Sequence, residues 1–294
     1  MGETAKLFNK DFNRCFDPVL TATSLIAALE TPTFPLDIEQ VALNVGIQGI
    51  QEIPDKNVEG ILVALPDKSV GFISISKHIR EKTRKRFTIA HELGHFLIKS
   101  HDSNYNCNAF DINNYSAKNK PQENEANQFA AELLMPRQYF SAEIDHQEPS
   151  YELFQSLTSK FESSLQSTLI RFKELTNESI AIVLSENSMI KWVSRSESFK
   201  YYIEADVPLS TDTYAIEFFK REELPQEFEE VDKNVWFDAS IIKHQITVQE
   251  LSLPLPYYNQ VLSVIWLFED EDELDEYDDF EDEFDGYLKL KDKS

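Results

Sequence analysis

The fold of this chain is decided by residues 86–100, RFTIAHELGHFLIKS, which contain the pattern His-Glu-x-x-His at positions 91–95. Apolar residues recur there at helical spacing, so the stretch predicts a helix with one face in a core. Two residues four positions apart on a helix lie on the same face, about 6 Å from each other, and two imidazoles so placed can bind one ion. We therefore predict His91 and His95 as ligands of a zinc ion.

Glu92 lies between the two histidines. On the predicted helix it is rotated by about 100° from His91, off the ligand face but close to it. A carboxylate in that position can accept a proton from a water molecule beside the metal, so we predict Glu92 as the general base of a hydrolase. The competing interpretation is a surface helix with ordinary histidines, and Leu93 and Phe96 argue against it because they draw this helix into a core.

A zinc hydrolase needs a third protein ligand and a fourth position that is open to water. A second helix, predicted within residues 121–136, places Glu123 in line with the alanines of its packed face, where a carboxylate requires a cation. We therefore predict Glu123 as the third ligand. Asn127, one turn further on, can orient a ligating histidine, whereas Glu125 shares its stripe with polar residues and is expected to face solvent.

His101 is the alternative third ligand. It follows His91 by ten residues, which is the spacing of the metzincin pattern, but Ile98 stands where that pattern has glycine. Without the glycine the chain lacks its easy left-handed turn, and in a continuing helix His101 points about 80° away from His91. The metzincin alternative predicts that Glu123→Ala retains zinc while His101→Ala loses it, and we expect the reverse.

The stretch RFTIAHELGHFLIKS, followed by ENEANQFAAELLMP at residues 123–136, resembles the ImmA/IrrE family of zinc metallopeptidases. The resemblance spans residues 35–195 and includes DIEQVALNVGI, VGFISIS and FESSLQSTLIRFKEL. It implies a gluzincin-like α+β fold, intracellular endopeptidase activity, and substrates that are often helix-turn-helix repressors. It also implies His91, His95 and Glu123 as zinc ligands and Glu92 as the base.

Charge and cysteine content limit the partners and the compartment. The 294 residues include 28 Lys and Arg against 52 Asp and Glu, for a formal net charge of −24. This charge opposes attraction to nucleic acid and to anionic membranes, so we expect neither direct nucleic-acid binding nor a membrane partner. Cys15 and Cys107 are too few for a disulfide framework, and no apolar run reaches the roughly 18 residues of a membrane span. We expect a cytoplasmic protein.

The predicted fold class is α+β. It consists of a zincin-like metallopeptidase domain with two metal-binding helices and a small β-sheet, followed by helices, a smaller α+β C-terminal domain and an acidic disordered tail. The tail is predicted from 13 acidic residues among residues 269–285, which repel one another. The predicted segments are an N-terminal helical segment 1–34, a zinc metallopeptidase domain 35–150, a helical extension with short strands 151–199, a C-terminal α+β domain 200–268 and the tail 269–294.

The predicted function is that of an intracellular zinc-dependent endopeptidase, which hydrolyses peptide bonds of a regulatory protein such as a helix-turn-helix repressor. Metal-activated water would attack, with Glu92 as general base. The alternative is a non-catalytic, metal-stabilised binding or regulatory module whose acidic tail captures a basic partner. Glu92 favours catalysis, because such a module needs no base beside its ligands. The expected metal is Zn²⁺, with Mn²⁺ as the alternative.

Four further features carry weaker expectations. The basic residues within 77–86 precede the zinc helix, and the acidic tail could dock on them. The strand predicted in residues 70–76 is either an edge on which an extended substrate pairs or an interior strand. Cys107 is expected to be an idle buried thiol rather than a group that reaches the zinc. The candidate donors to an oxyanion are His101, Tyr105, Tyr115 and Arg137.

Overall fold

The computed structural model describes residues 14–29, 31–108, 121–237 and 246–269. The chain divides into two compact units, Met1–Arg171 and Phe172–Ser294. The described residues contain eight α-helices and two β-sheets, which confirms the predicted mixed α+β class. From residue 270 onward, the predicted acidic tail lies outside the described residues.

The first unit contains most of the helices. Their bounds are α1 Pro18–Ala27, α2 Ile38–Asn44, α3 Lys82–Leu97, α4 Pro121–Leu134, α5 Arg137–Ile144, α6 Tyr151–Phe161 and α7 Leu165–Leu175, the last of which crosses into the second unit. Aspartates begin the first two helices, since Asp17 accepts from the backbone N–H of Leu20 and Asp37 from that of Gln40. In the described part of the chain, no helix is long and apolar enough to cross a membrane.

Helix α3 is buried on every side from Arg86 to Leu97. It packs against α4 and against strands of the first sheet. The two helices approach closely at Gly94, where an added Cβ would lie 3.0 Å from the Phe129 ring and 3.2 Å from the Cα of Ala126. Small residues on both helices therefore allow the two backbones to touch.

The first sheet consists of β1 Ile47–Ile53, β2 Gly60–Ala64, β3 Gly71–Ser76 and β4 Asn104–Cys107, in the order β1-β3-β2-β4. Strands β2 and β3 form the predicted antiparallel hairpin. The suggestion that residues 70–76 form an edge strand is wrong, because β3 also pairs in parallel with β1, a strand that we did not predict. The edges of this sheet are β1 and β4 in the described residues.

The turn between β2 and β3 supports the end of α3. Lys68 lies in this turn with a φ of 49°, and its side chain is buried. Its Nζ donates hydrogen bonds of 2.8 Å to the carbonyl oxygens of both His95 and Ile98. A cation at a helix C-terminus satisfies carbonyls that have no partner inside the helix and complements the helix dipole.

The second unit is built on an antiparallel sheet with the order β6-β5-β9-β8-β7. Its strands are β5 Ser179–Glu186, β6 Met189–Arg195, β7 Glu229–Val231, β8 Ile246–Leu255 and β9 Gln260–Glu269, and α8 spans Tyr214–Lys220. We predicted a second domain from residue 200. The unit instead begins at Phe172, because β5 pairs with β9 along its whole length and so joins residues 179–195 to the later strands.

Three donors converge on Glu250 within the second unit. Oε1 accepts from the Ala215 backbone at 2.7 Å and from the Ser252 hydroxyl at 2.8 Å, and Oε2 accepts from Trp236 Nε1 at 2.9 Å. Burial raises the pKa of Glu250, while these hydrogen bonds oppose the shift. The buried acid therefore ties α8 and the Trp236 segment to β8.

Candidate metal centre

The structure brings together the three residues predicted as metal ligands. His91 and His95 lie one turn apart on α3, and Glu123 lies in the first turn of α4. His91 Nε2 is 3.1 Å from both His95 Nε2 and Glu123 Oε2, and His95 Nε2 is 3.5 Å from Glu123 Oε2. Both histidines are fully buried and Glu123 nearly so.

The hydrogen bond of the other ring nitrogen of His91, Nδ1, indicates which nitrogen carries the proton. Nδ1 lies 2.9 Å from the side-chain oxygen of Asn127, on the next turn of α4 after Glu123. An amide oxygen only accepts hydrogen bonds, so Nδ1 carries the proton. In the neutral ring, the form that binds metals, the lone pair of Nε2 is then directed at Glu123, and Asn127 makes the orienting contact that the sequence suggested.

A chain of two contacts orients His95 in the same way. His101 Nε2 lies 2.8 Å from Glu125 Oε2, and His101 Nδ1 lies 2.9 Å from His95 Nδ1. The carboxylate only accepts, so His101 donates from Nε2, and burial lowers the pKa of His101, which favours its neutral form. A neutral His101 accepts at Nδ1, so the proton of His95 is on Nδ1 and its Nε2 is bare. Burial lowers the pKa of His95 to about 3, which keeps this ring neutral.

These donor atoms fit a divalent cation. Two bare imidazole nitrogens and one carboxylate oxygen face each other, and without a cation their lone pairs repel. In a tetrahedral zinc site with ordinary Zn–N and Zn–O distances, neighbouring ligand atoms are about 3.3–3.5 Å apart. The observed separations of 3.1, 3.1 and 3.5 Å are close to this range. The nitrogen and oxygen donors therefore match the ligand chemistry of zinc.

Glu92 lies beside this cluster in an apolar setting. It is fully buried, and no donor among the described residues forms a hydrogen bond of ordinary geometry with either carboxyl oxygen. Burial raises its pKa to about 8, against a smaller lowering by a weak contact with the Cys107 thiol. A Cβ on Gly60 would lie 2.1 Å from Glu92 Oε1, so the carboxyl fits against β2 only because residue 60 has no side chain.

Cys107 reaches the cluster from the end of β4. Its Sγ is 3.6 Å from His95 Nε2 and 3.9 Å from Glu123 Oε1, and its side chain is fully buried. The ligand atoms of His91, His95, Cys107 and Glu123 all lie within 4.8 Å of one another. The thiol is buried, as expected, but it lies within reach of the metal position, which the prediction had disfavoured. No local pattern indicates this position, because Cys107 comes from a strand between the two helices.

Two acidic residues of α4 depart from the predicted solvated stripe. Glu125 is half-buried and accepts from His101, as described above. Glu132 is buried and forms an ion pair with Arg171, and it also accepts from the backbone of Arg137 at 3.0 Å. A stripe without apolar residues predicts a solvated face, but here buried partners on neighbouring segments satisfy its charges.

The candidate oxyanion donors lie in different settings. His101 is part of the chain that orients His95. Tyr105 stacks on the His95 ring with centroids 3.6 Å apart, and its hydroxyl donates to Gln122 at 2.5 Å. Arg137 begins α5 with an exposed side chain. Tyr115 lies outside the described residues.

Four basic residues predicted to precede the zinc helix lie in the first turns of α3 and form ion pairs within the first unit. Arg84 pairs with Glu59 and Lys85 with Glu52, each at 2.5 Å. Glu162 pairs with both Lys82, at 2.5 Å, and Arg86, at 3.3 Å. Four of the basic side chains within residues 77–86 are therefore already paired with glutamates. Docking of the acidic tail on these residues stays a prediction.

Comparison with known proteins supports the fold and, over part of the chain, the family resemblance. No curated protein matches the chain. A solved structure described as a Mycobacterium tuberculosis transcriptional regulator is similar in fold, with a TM-score of 0.50 and 14% sequence identity over 88% of this chain and 79% of that one. Residues 52–173, which include α3 and α4, match the model of the IrrE N-terminal-like domain, Peptidase_M78. Over these residues the match confirms the resemblance to the ImmA/IrrE peptidase family.

Proposed function

We propose that the chain is an intracellular zinc-dependent endopeptidase that cleaves a regulatory protein. The observation that carries the proposal is the meeting of two bare imidazole nitrogens and a carboxylate beside the orphaned carboxyl of Glu92. A structural metal site has no need of a buried carboxyl that lacks a partner, and keeping one there is costly. A hydrolase needs such a group as its base.

His91, His95 and Glu123 would hold the ion, with Asn127 and His101 fixing the orientation of the two rings. When bound, zinc supplies Lewis acidity, which polarises the scissile carbonyl and lowers the pKa of water. The positive charge of the bound ion would lower the pKa of Glu92 and keep it ionised. Glu92 would then accept a proton at a carboxylate oxygen from the attacking water and return it to the nitrogen of the leaving amine. The burial of Glu92 excludes bulk solvent from this proton transfer.

Strand β4 is the part of the first sheet best suited to hold an extended substrate. It pairs with β2, and no second partner strand is found for it in the described residues. It also ends at Cys107, beside the ligand cluster. A peptide pairing with this edge by backbone hydrogen bonds would pass close to Glu92 and the ion. Helix-turn-helix repressors are the substrates we propose, in line with the family resemblance.

Cleavage of repressor-like proteins encoded next to this chain tests the function. The purified full chain is incubated with each of them, with and without a chelator, and products are identified by mass spectrometry. We expect cleavage that the chelator abolishes and added Zn²⁺ restores. Glu92→Gln is the matched control, because it keeps the shape of the side chain and removes the base. Cleavage at the wild-type rate by a zinc-loaded Glu92→Gln protein would refute the assigned role.

A further inference from the structure

The cluster offers four ligand atoms, one more than a catalytic zinc site normally takes from its protein. Catalytic sites commonly use three protein ligands and leave a fourth position for water, whereas structural sites use four. In this chain Cys107 Sγ stands with the two imidazole nitrogens and the Glu123 carboxylate, all within 4.8 Å of one another. The fourth donor is a sulfur atom, which zinc binds readily as thiolate.

One separation at Cys107 is that of neighbouring ligands. With Zn–S near 2.3 Å and Zn–N near 2.1 Å, a tetrahedral site places sulfur about 3.6 Å from nitrogen. Sγ lies 3.6 Å from His95 Nε2. Sγ also lies 3.9 Å from Oε1 of Glu123, the carboxylate whose Oε2 is the atom closest to the histidines. All four ligand atoms lie within 4.8 Å of one another, so a small movement of the thiol towards the ion would complete a four-ligand site.

The fixed position of Cys107 supports the same interpretation. Strand β4 pairs Cys107 with Gly60 of β2, which is the residue against which Glu92 packs. The Cys107 backbone oxygen also accepts from Glu59 at 2.9 Å. Main-chain hydrogen bonds thus hold the thiol next to both the ligands and the unpartnered carboxyl of Glu92.

We propose that Cys107 is a fourth metal ligand, which closes the site and holds the peptidase latent until the thiolate leaves the ion. Coordination releases the thiol proton to solvent, and departure of the sulfur takes a proton back. The proposal rests on the metal-dependent peptidase activity proposed above. It adds a regulatory step to that activity: substrate hydrolysis requires the fourth position to be vacated first.

Cobalt substitution tests the ligation independently of activity. The full chain is loaded with one Co²⁺, and its absorption is compared with that of Cys107→Ala and Cys107→Ser. We expect a near-ultraviolet thiolate-to-cobalt charge-transfer band in the wild type and in Cys15→Ser, and loss of that band in both Cys107 variants with the ion still bound. A wild-type protein that binds Co²⁺ through His91 without this band would overturn the proposal.

The activity of the zinc-loaded proteins tests latency. If the thiolate occupies the ion nine-tenths of the time, only about one-tenth of the molecules are competent, so Cys107→Ala is expected to cleave about tenfold faster. Equal rates in the two proteins, with the charge-transfer band present in the wild type, would overturn latency. A band in the wild type, with no cleavage by either protein, would reject the peptidase function and leave the ligation intact, so the two failures are distinguishable.

Discussion

The roles of Glu123 and His101 can be separated by metal affinity. Glu123 Oε2 faces the imidazole nitrogens directly, whereas His101 contacts only the outer nitrogen of His95. The apparent binding free energy of a structural zinc site is about 10–16 kcal/mol. Divided among four ligands, this corresponds to about 3–4 kcal/mol for each ligand. We therefore expect Glu123→Ala to weaken Zn²⁺ binding by about 100- to 1,000-fold. Loss of an orienting group costs about 10- to 100-fold, and we expect this range for His101→Ala.

Competition with a chromophoric chelator measures both affinities at fixed pH and salt. Glu125→Gln is the matched control for the orienting chain, because its amide oxygen can still accept from His101 Nε2, and we expect it to weaken binding by less than about tenfold. Circular dichroism of the metal-free variants checks that each one folds. A His101→Ala protein that loses more affinity than Glu123→Ala would refute the reasoning and favour His101 as the direct third ligand.

Gly60→Ala is expected to displace the Glu92 carboxyl, from which the new Cβ would lie 2.1 Å, so peptide cleavage should fall while Zn²⁺ affinity changes little; unchanged turnover would count against a role for this packing. Lys68→Met removes the donor to two carbonyls at the end of α3 and should lower the free energy of unfolding by about 1–3 kcal/mol in urea titrations. Glu250→Gln replaces one accepting oxygen by an NH₂ group, which can only donate and therefore faces the groups that now donate to the carboxylate. We expect this change to destabilise the second unit by about 1–3 kcal/mol. Because the pKa of Glu250 is raised in the folded state, the unfolded chain loses this proton at lower pH. The contribution of Glu250 to the free energy of unfolding therefore falls as the pH rises from 4.5 towards the pKa of the folded state, and this pH dependence should be absent from the Gln variant.

Helical periodicity accounts for the part of the site that could be predicted. The spacing of His91 and His95 on one helix, and of Glu123 and Asn127 on the next, follows from 3.6 residues per turn. The alanines predicted on the packed face of the second helix include Ala126, which lies close to Gly94 of α3. These relations are local in the chain, so the sequence alone contains them.

The remaining features depend on contacts between distant segments. Cys107 enters the cluster because β4 pairs with β2, and Gly60 receives Glu92 because of the same register. Strand pairing joins residues far apart in sequence, and no periodicity within 104–107 specifies its partner. The contact of Glu125 is unpredictable for a related reason. The stripe predicts a solvent-facing side chain, but its partner His101 approaches from the loop before β4.

The contact between Gly94 and Ala126 has a consequence for metal selection. Because α3 and α4 approach closely at Gly94, tight packing fixes the distance between the two backbones that carry the imidazoles and the Glu123 carboxylate. An ion that prefers longer bonds must either sit off centre or push two buried helices apart. Close packing at Gly94 and Ala126 thus limits the size of the ion that this site can bind.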